Sequence, residues 1–260
     1  MQKTLSYQAL RIEGEKQTAV DDVLTVEHPL SIRINGEPFT LTMQTPGDEL
    51  DLTRGLLYTE GVVKQRSGVV PMQVVERDRD GRISAIDVVV NHEQLQASQL
   101  SKRSLLSVAS CGICGKTELT LPEGRLKSER PELSTENIEE MFTSMHAGQS
   151  AFQTSGGCHG AAIFDADHSM LVLREDIGRH NAVDKCIGAL LTASQLSSAK
   201  YVLVSGRVSY EIVVKCFTAG IPNLLAVSAP SSLAVDFCKE LGITLYGFCR
   251  EGRATCYSHG

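Results

Sequence analysis

The sequence lacks several features that would assign the protein to a class at once. No apolar run in its 260 residues approaches the length of a membrane-spanning helix. The first seven residues, Met1 to Tyr7, open no apolar segment of the kind found in signal peptides. The formal net charge is −6, so a broad electrostatic grip on nucleic acid or on an anionic membrane is not expected. These absences predict a cytoplasmic protein that acts on neither nucleic acid nor a membrane.

The cysteines also lack two familiar arrangements. A disulfide framework is not expected in a chain of this length without an export signal. A four-cysteine zinc site needs two close pairs, whereas only Cys111 and Cys114 are spaced as Cys-x-x-Cys, so no structural metal is expected. Three cysteines in helix-like apolar runs are predicted to be small buried hydrophobic residues, namely Cys186, Cys216 and Cys238.

Cys111 and Cys114 lie in a short loop, Ser110-Cys111-Gly112-Ile113-Cys114-Gly115-Lys116, with Lys102 and Arg103 nearby in sequence. Neighbouring cations favour the thiolate, and glycines allow a bulky reactant to approach the backbone. A second thiol can resolve or relay sulfur chemistry begun at the first. The loop therefore predicts a nucleophilic cysteine. The alternatives are half of a zinc site or two incidental cysteines.

The N-terminal half is predicted to be a small α+β part. Residues 1–20 are polar and are predicted to be either an irregular start or an edge strand. Alternating apolar residues from Ser31 to Met43, around Asn35-Gly36, predict a β-hairpin. Asp48 is predicted to cap a helix that ends at Gly61, and residues 72–90 are predicted to form a second hairpin.

The second half alternates strands and helices. A charged, Pro- and Gly-containing stretch from Leu121 to Pro131 predicts a domain boundary, which gives domains 1–132 and 133–260. Ser134 or Thr135 is predicted to cap a helix through Met145. The elements expected next are strands at residues 160–165, 170–173, 201–205, 223–228, 243–248 and 254–257, with helices at 180–193, 209–219 and 231–241. This order predicts a three-layer α/β domain with a substantially parallel sheet.

Three stretches fall at the carboxyl ends of predicted strands, where open α/β sheets bind ligands. They are Ser205-Gly206-Arg207, the segment around Ser228, and Phe248-Cys249-Arg250-Glu251-Gly252-Arg253. Hydroxyls and free amides at helix starts, together with two arginines and a glycine, suit the phosphates of a nucleotide-like ligand. The alternative is that they are ordinary capping serines and a solvated turn.

Residue spacing alone does not assign a role to two further polar clusters. Arg174 to Asn181 is dense in ionisable groups between a strand and a helix, and it could serve function or only lock a turn. Gly156-Gly157-Cys158-His159-Gly160 could carry a ligand or a proton. A zinc deaminase is disfavoured, because that class needs His-x-Glu and Pro-Cys-x-x-Cys, and His159 is followed by Gly160 and Ala161.

Taken together, these stretches resemble the formate dehydrogenase accessory sulfurtransferase family (FdhD), in family order from about residue 30 to the end. The matching segments are Cys111–Gly115, Gly156–His159, Arg174–Lys185, Ser205–Arg207 with Ser209–Glu211, Ala226–Pro230, and Gly247-Phe248 through Gly252-Arg253. Cys158 departs from the pattern, since a small residue such as Thr is expected there, and it receives no catalytic role.

The resemblance implies a fold similar to that of cytidine deaminase. It implies that a cysteine desulfurase loads sulfur onto Cys111 as a persulfide, with Cys114 as its helper. The sulfur then passes to the molybdenum bis(molybdopterin guanine dinucleotide) cofactor, which is bound as cargo and destined for formate dehydrogenase. Carried over to this sequence, the cofactor contact falls on Cys249, Arg250, Glu251, Gly252, Arg253 and Ala254.

The residue pattern fits that reading, since the cofactor's phosphates match the basic final turn and the helix starts at Ser205, Gly206, Arg207 and Ser228. A homodimer that pairs through the α/β domains is in keeping with the family. Two other functions stay open: a dithiol redox protein that cycles Cys111 and Cys114, and a cofactor chaperone without sulfur chemistry. The sequence assigns no role to His159 or His180.

Overall fold

A computed structural model describes residues 2–63, 70–91, 121–126 and 133–260. Cys111 and Cys114 lie outside the described residues. The described chain begins with an antiparallel hairpin of strands β1 (Thr4–Glu13) and β2 (Lys16–Thr25). Of the two predictions for residues 1–20, the irregular start is wrong. The predicted strand is present, but it pairs with β2 in a separate two-stranded sheet and is not the edge of a larger one.

A second sheet follows, with strand order β4-β3-β6-β5. Its strands are β3 (His28–Ile34), β4 (Glu37–Gln44), β5 (Met72–Arg77) and β6 (Ile83–Val88). Asn35 and Gly36 both have positive φ, 52° and 83°, which is the two-residue hairpin turn that this dipeptide favours. Helix α1 (Glu49–Thr59) places Leu52 and Leu57 in the core of this sheet. Both predicted hairpins and the helix are therefore confirmed.

The predicted capping of α1 by the Asp48 side chain is wrong. Asp48 occupies the N-cap position, but its side chain makes no capping hydrogen bond. Its carboxylate instead lies 3.1 Å from the Lys3 amine and 3.2 Å from Arg174 Nε. Two cations from distant parts of the chain thus occupy the acceptor that a helix N-terminus would otherwise use.

The remaining described chain forms a sheet of order β12-β11-β10-β9-β7-β8 with helices on both faces. The strands are β7 (His159–Phe164), β8 (Met170–Asp176), β9 (Tyr201–Val204), β10 (Asn223–Ala226), β11 (Thr244–Arg250) and β12 (Arg253–His259). The helices are α2 (Thr135–Gly148), α3 (Ser150–Ser155), α4 (Arg179–Thr192), α5 (Tyr210–Ala219) and α6 (Ser232–Leu241), with a 3₁₀ turn at Leu196–Ser198. Strands β9, β10 and β11 are parallel, whereas β7, β8 and β12 each run antiparallel to a neighbour.

Alternate residues of the strands feed two separate cores. Ala161 and Ile163 of β7 pack with the buried faces of α4, α5 and α6. Ala162 and Phe164 face the other way and pack with Met141 and Met145 of α2, whose N-terminus Ser134 caps as predicted. The result is a three-layer α/β domain beside a smaller α+β part, which confirms the predicted α/β fold class. The sheet is less parallel than predicted, because only β9, β10 and β11 pair in parallel. The similarity to cytidine deaminase stays a prediction.

Helices α1 and α4 cross at glycines, which brings the N-terminal part against the α/β domain. A Cβ atom at Gly55 would overlap the Asp184 carbonyl, and one at Gly188 would overlap the Asp51 carbonyl. A side chain at either position would push the two backbones apart. The division of the chain at residue 132 stays a prediction. In the described ranges, no helix is long and apolar enough to cross a membrane.

Candidate functional site

The carboxyl ends of the central strands meet at one edge of the large sheet. Ser205 follows β9, and its hydroxyl accepts a hydrogen bond from the Gly160 amide at 3.0 Å. Ser228 follows β10, and its carbonyl accepts from the Phe248 amide at 3.2 Å. Because β7 runs antiparallel to β9, His159 at the start of β7 lies at this same edge. The structure thus brings the sequence-predicted stretches together, as strand direction requires.

A cavity of about 640 Å³ opens at this edge, between the sheet and helices α2 and α3. Its sheet-side wall includes six of the ten residues predicted to contact the cofactor: Ser205, Cys249, Arg250, Glu251, Gly252 and Arg253. Gly206, Arg207, Ser228 and Ala254 do not line it. Ala254 packs against the core beneath, and Gly206 lies against the His159 ring.

The turn between β11 and β12 holds an irregular backbone at the cavity. Phe248, Glu251 and Gly252 have positive φ values of 53°, 55° and 68°, and the strand register shifts between Gly247 and Arg250. Non-glycine residues in this region cost about 1–3 kcal/mol each, a strain that clusters at ligand-binding sites. Arg250 stacks 5.9 Å from the Phe248 ring centre. The turn presents two arginines, Arg250 and Arg253, to the cavity.

The opposite wall comes from α2 and α3 and was not predicted from the sequence. Its side chains include Glu139, Phe142, His146, Gln149 and Phe152. Positions 139, 142 and 146 follow helical spacing, one residue beyond the buried stripe of Ile138, Met141 and Met145. This second stripe is the one feature of the sequence that could have predicted the helical wall. It combines an acidic, an aromatic and a basic residue, however, and matches no recognised motif.

Gln149 is the most unusual residue of this helical wall. It is only 4% exposed, yet its amide nitrogen has no hydrogen-bond partner in the described structure. The amide lies over Gly160, where a Cβ atom would collide with it. An unpaired buried donor costs about 1–3 kcal/mol, so a ligand acceptor in the cavity would relieve that cost.

Among the described residues, two cysteines line the cavity, Cys158 and Cys249, and both are poorly suited to nucleophilic chemistry. Burial raises the pKa of Cys249 to about 11. Burial also raises the pKa of Cys158, although the hydroxyls of Thr25 and Thr45 lie 3.4 Å and 4.0 Å from its sulfur. Both are thiols at neutral pH, so neither supplies a ready thiolate. The predicted burial of Cys186, Cys216 and Cys238 is confirmed, since all three are fully buried.

His159 lines the cavity in its neutral form. Burial, and then the neighbouring Arg179, lowers its pKa below the ordinary value, with His180 and Arg207 adding to the shift. A neutral imidazole can accept a proton from a bound group. His180 lies deeper, with Nε2 at 3.1 Å from the Ser209 hydroxyl and 3.3 Å from Glu211.

Comparison with known proteins assigns the chain to a family. The sequence model of the FdhD/NarQ family matches residues 25–260. The protein belongs to the FdhD/NarQ family. It is 40% identical to the sulfur carrier protein FdhD of Nocardia farcinica, over 98% of this chain and 93% of that protein.

Other comparisons agree with the FdhD/NarQ assignment. The sulfur carrier protein FdhD of Saccharolobus solfataricus is 36% identical, over 97% of this chain and 95% of its own length. A crystal structure described as a formate dehydrogenase accessory protein from Desulfotalea psychrophila superposes with a TM-score of 0.75 at 21% identity. It covers 99% of this chain and 97% of that one, and it shows the fold alone.

The acidic residues of the family motif Arg174–Lys185 are engaged in structural contacts. Glu175 accepts hydrogen bonds from the amides of Ala151 and Phe152 at 2.9 Å and 2.7 Å, and so anchors α3 at the cavity. Asp176 lies 2.7 Å from the Lys185 amine, and both side chains are fully buried. Asp176 also accepts from the Gly178 amide at 2.7 Å, which fixes the turn before Arg179. The motif therefore holds the edge of the cavity in place.

A metal site is not evident in this part of the molecule. Within residues 2–63, 70–91, 121–126 and 133–260, no group of three His, Cys, Asp or Glu side chains is placed to bind a metal ion. The cysteine loop lies outside those ranges, so the absence of a structural metal stays a prediction.

Proposed function

We propose that this FdhD/NarQ protein is a cytoplasmic sulfur carrier that serves formate dehydrogenase. In this proposal Cys111 receives sulfur from a cysteine desulfurase and delivers it to a molybdenum bis(molybdopterin guanine dinucleotide) cofactor. The names of the curated relatives support sulfur carriage. The cavity is the observation that supports cofactor binding. It has a basic turn on one side and, on the other, a helical wall that contains a buried amide without a hydrogen-bond partner.

The first transfer is a thiol exchange at sulfur. The Cys111 thiolate attacks the outer sulfur of the desulfurase persulfide, the donor sulfur–sulfur bond breaks, and the donor thiolate leaves. No net oxidation occurs, because one persulfide replaces another. Cys111 suits this role better than the cavity cysteines, since Cys158 and Cys249 are held as thiols by burial.

Cys114 would complete the second transfer. Its thiolate attacks the inner sulfur of the Cys111 persulfide, the sulfur–sulfur bond breaks, and a Cys111–Cys114 disulfide forms. The outer sulfur leaves as hydrosulfide, which the cargo would take up as a ligand of its metal. The two cysteines thereby supply the two electrons that convert the carried sulfur to the oxidation state of sulfide. An external thiol then reduces the disulfide for the next cycle.

The cavity suits one nucleotide arm of the cofactor. Arg250 and Arg253 would contact its phosphates, since guanidinium groups bind phosphate oxygens through paired hydrogen bonds. Phe142 or Phe152 would stack on the base, and Glu139 would accept hydrogen bonds from the guanine N1–H and amino group. The Gln149 amide nitrogen would donate to a carbonyl oxygen of the cargo.

Mass spectrometry of the protein after incubation with a cysteine desulfurase and cysteine tests the sulfur-carrier proposal. We expect a reducible gain of one sulfur on the peptide spanning Cys111, lost in Cys111→Ser. Cys249→Ser is the matched control and keeps the gain, because that thiol is buried and protonated. If wild type gained no sulfur and only cycled a Cys111–Cys114 disulfide, the redox alternative would replace this proposal.

A guanine nucleotide separates sulfur carriage from cargo binding. The double variant Cys111→Ser, Cys114→Ser is expected to bind GDP as wild type does, because the cavity residues are unchanged. If it also supported formate dehydrogenase maturation fully, the protein would be a cofactor chaperone, and sulfur transfer would be excluded as its function.

A further inference from the structure

The β1–β2 hairpin is the most exposed apolar feature in the described chain. Four of its large hydrophobic side chains face solvent: Tyr7 at 52%, Leu10 at 56%, Ile12 at 64% and Leu24 at 46%. Tyr7, Leu10 and Ile12 all belong to β1. An isolated two-stranded ribbon is at best marginally stable in water, so a ribbon with such side chains needs a partner surface.

Only the base of the hairpin is tied to the body of the protein. The Thr25 hydroxyl lies 2.7 Å from the Ser155 hydroxyl, and the Lys3 amine donates to the Asp48 carboxylate at 3.1 Å. From Ser6 onward, β1 is exposed to its end. The family match begins at residue 25, so the projecting part lies outside the segment that defines the family.

The outer edge of β1 carries regularly spaced backbone groups. Glu13 and Lys16 flank a two-residue turn and therefore form a hydrogen-bonded pair, and such pairs alternate along the ladder. The even-numbered residues then direct their amide and carbonyl groups outward, namely Thr4, Ser6, Gln8, Leu10 and Ile12. No strand of the described ranges pairs with that edge.

The two edges of the hairpin differ in charge. Strand β2 carries Asp21 and Asp22 in its middle, and adjacent acidic groups discourage pairing of that edge with itself. Strand β1 has no charged residue from Thr4 to Leu10. An uncharged, apolar edge strand with no bulge or proline is a template for pairing with another strand.

We propose that β1 pairs, antiparallel, with β1 of a second copy of this chain. A two-fold axis perpendicular to the ribbon would then join two hairpins into one four-stranded sheet. The residue nearest that axis lies directly opposite the same residue of the second copy. The two side chains then project from the same face of the sheet. This contact is independent of the proposed sulfur chemistry, and it adds a surface to a homodimer expected to pair through the α/β domains.

Charge favours centring this pairing on Gln8 over centring it on Tyr7. Centring it on Tyr7 would place Arg11 opposite Lys3 of the second copy, a repulsive pair at each end. Centring it on Gln8 places Glu13 opposite Lys3 instead, which adds an opposite charge to an amine already 3.1 Å from Asp48. The Gln8 register also makes the two Tyr7 rings diagonal neighbours on one face, within reach of each other.

Cysteine cross-linking reads this register directly. Under mild oxidation, Gln8→Cys is expected to give a disulfide between two copies of the peptide that contains residue 8, identified by mass spectrometry. Ala19→Cys is the matched control on β2 and is expected to give none, because that strand forms the outer edge of the sheet. Absence of the residue 8 cross-link, or equal cross-linking at both positions, would overturn the proposal.

Proline tests the backbone contact without adding a thiol. Gln8→Pro removes an outward amide, whereas Ala19→Pro removes the equivalent outward amide of β2, and neither amide bonds within the hairpin. Two ladder hydrogen bonds are lost per dimer, so we expect Gln8→Pro to reduce cross-linking between Ser6→Cys and Leu10→Cys chains roughly tenfold to hundredfold. Ala19→Pro is expected to leave it unchanged, and an equal loss in both variants would contradict the edge contact.

Sulfur acceptance by Gln8→Pro serves as the internal standard. It is expected to equal that of wild type, because sulfur acceptance is assigned to Cys111 and no hairpin residue has a part in it. Loss of cross-linking with sulfur acceptance intact therefore reports on the β1 edge alone. If wild type accepts no sulfur, an unchanged melting temperature of Gln8→Pro serves as the standard instead.

Discussion

The two walls of the cavity are built in different ways and present different chemistry. The sheet-side wall consists of backbone turns after β9 and β11 and carries the arginines Arg250 and Arg253. The helical wall is one face of α2 continued into α3 and carries Phe142, Phe152 and Glu139. Strand ends supply amides and a strained basic turn, which suit phosphate, whereas a helix face supplies large side chains, which suit a flat base. In the proposed function, one wall would therefore recognise the charge of the cargo and the other wall its shape.

Reversing the charge of the sheet-side wall is expected to have the largest effect on binding. Arg250→Glu with Arg253→Glu should weaken GDP binding about a hundredfold or more, since each lost charge-assisted hydrogen bond contributes about 1.5–3 kcal/mol. Titration calorimetry at two salt concentrations measures this, and the salt dependence should also decrease. Arg79→Glu, an exposed arginine outside the cavity lining, is the control. Unchanged GDP affinity in the double variant would refute the assignment of phosphate to this wall.

Changing the helical wall is expected to alter specificity more than affinity. Glu139→Gln should weaken GDP about tenfold, because the paired acceptors for the guanine N1–H and amino group are lost, at about 1–2 kcal/mol. ADP binding should stay the same or improve, since adenine presents no N1–H donor. The neighbouring Glu140→Gln, which does not line the cavity, should change neither. If GDP and ADP weakened equally, Glu139 would not discriminate between the bases.

Gln149 is expected to affect both the stability of the protein and its binding of a nucleotide. Gln149→Met should stabilise the unliganded protein by about 1 kcal/mol, because it removes a buried donor that has no partner. The same change should weaken binding of the cargo nucleotide several-fold. Thermal denaturation with and without GDP measures both effects. A lower melting temperature without GDP would mean that the amide stabilises the fold.

The smallest effect concerns pH and His159 in the sheet-side wall. Its pKa is lowered in the folded protein by burial and by Arg179, so the unfolded chain binds more protons below about pH 6.5. Stability should therefore fall as the pH decreases from 7.5 to 5.5, and His159→Gln should remove that part of the loss. Urea denaturation at both pH values gives the difference. An identical pH dependence in the variant would show that His159 is as easily protonated when folded.

The same pH series separates His159 from Glu211. Burial acts to raise the pKa of Glu211, but hydrogen bonds from His180 and Ser209 outweigh it, so the pKa lies below its ordinary value. The contribution of Glu211 to the free energy of unfolding is fully present above the pKa that this residue has in the unfolded chain. It is lost as the pH falls through the pKa in the folded protein. Any loss from Glu211 should therefore appear below about pH 4.5, outside the window that tests His159.

Much of the sheet-side wall was predictable because strand direction places it. Alternating strands and helices predict parallel central strands, here β9, β10 and β11, and the carboxyl ends of parallel strands meet at one edge. Ser205 and the turn from Cys249 to Arg253 could therefore be assigned to a common edge before any contact was known. Local signals were also sufficient for the Asn35-Gly36 turn and the Ser134 cap, since both depend on neighbours within four residues.

The helical wall could not be predicted, because its function depends on distant residues. Glu139 and Phe142 reach the turn at Arg250 only after α2 has packed on the sheet through Met141 and Met145. The helical spacing of apolar residues predicts the buried stripe of α2. The neighbouring stripe has a function only because the turn at Arg250 lies across the cavity from it. The Asp48 cap failed for a related reason, since Lys3 and Arg174 approach it from 45 positions earlier and 126 positions later in the chain.

The sequence by itself determined the elements, the layered α/β fold and the edge at which the basic turn lies, because backbone preferences and apolar periodicity act over short distances. Tertiary structure alone decided which polar side chains of the family motif make structural contacts. Asp176 and Glu175 belong to one run of ionisable residues, yet one lies against buried Lys185 and the other anchors α3. Partners so far apart in the chain are chosen by packing, which no local pattern encodes.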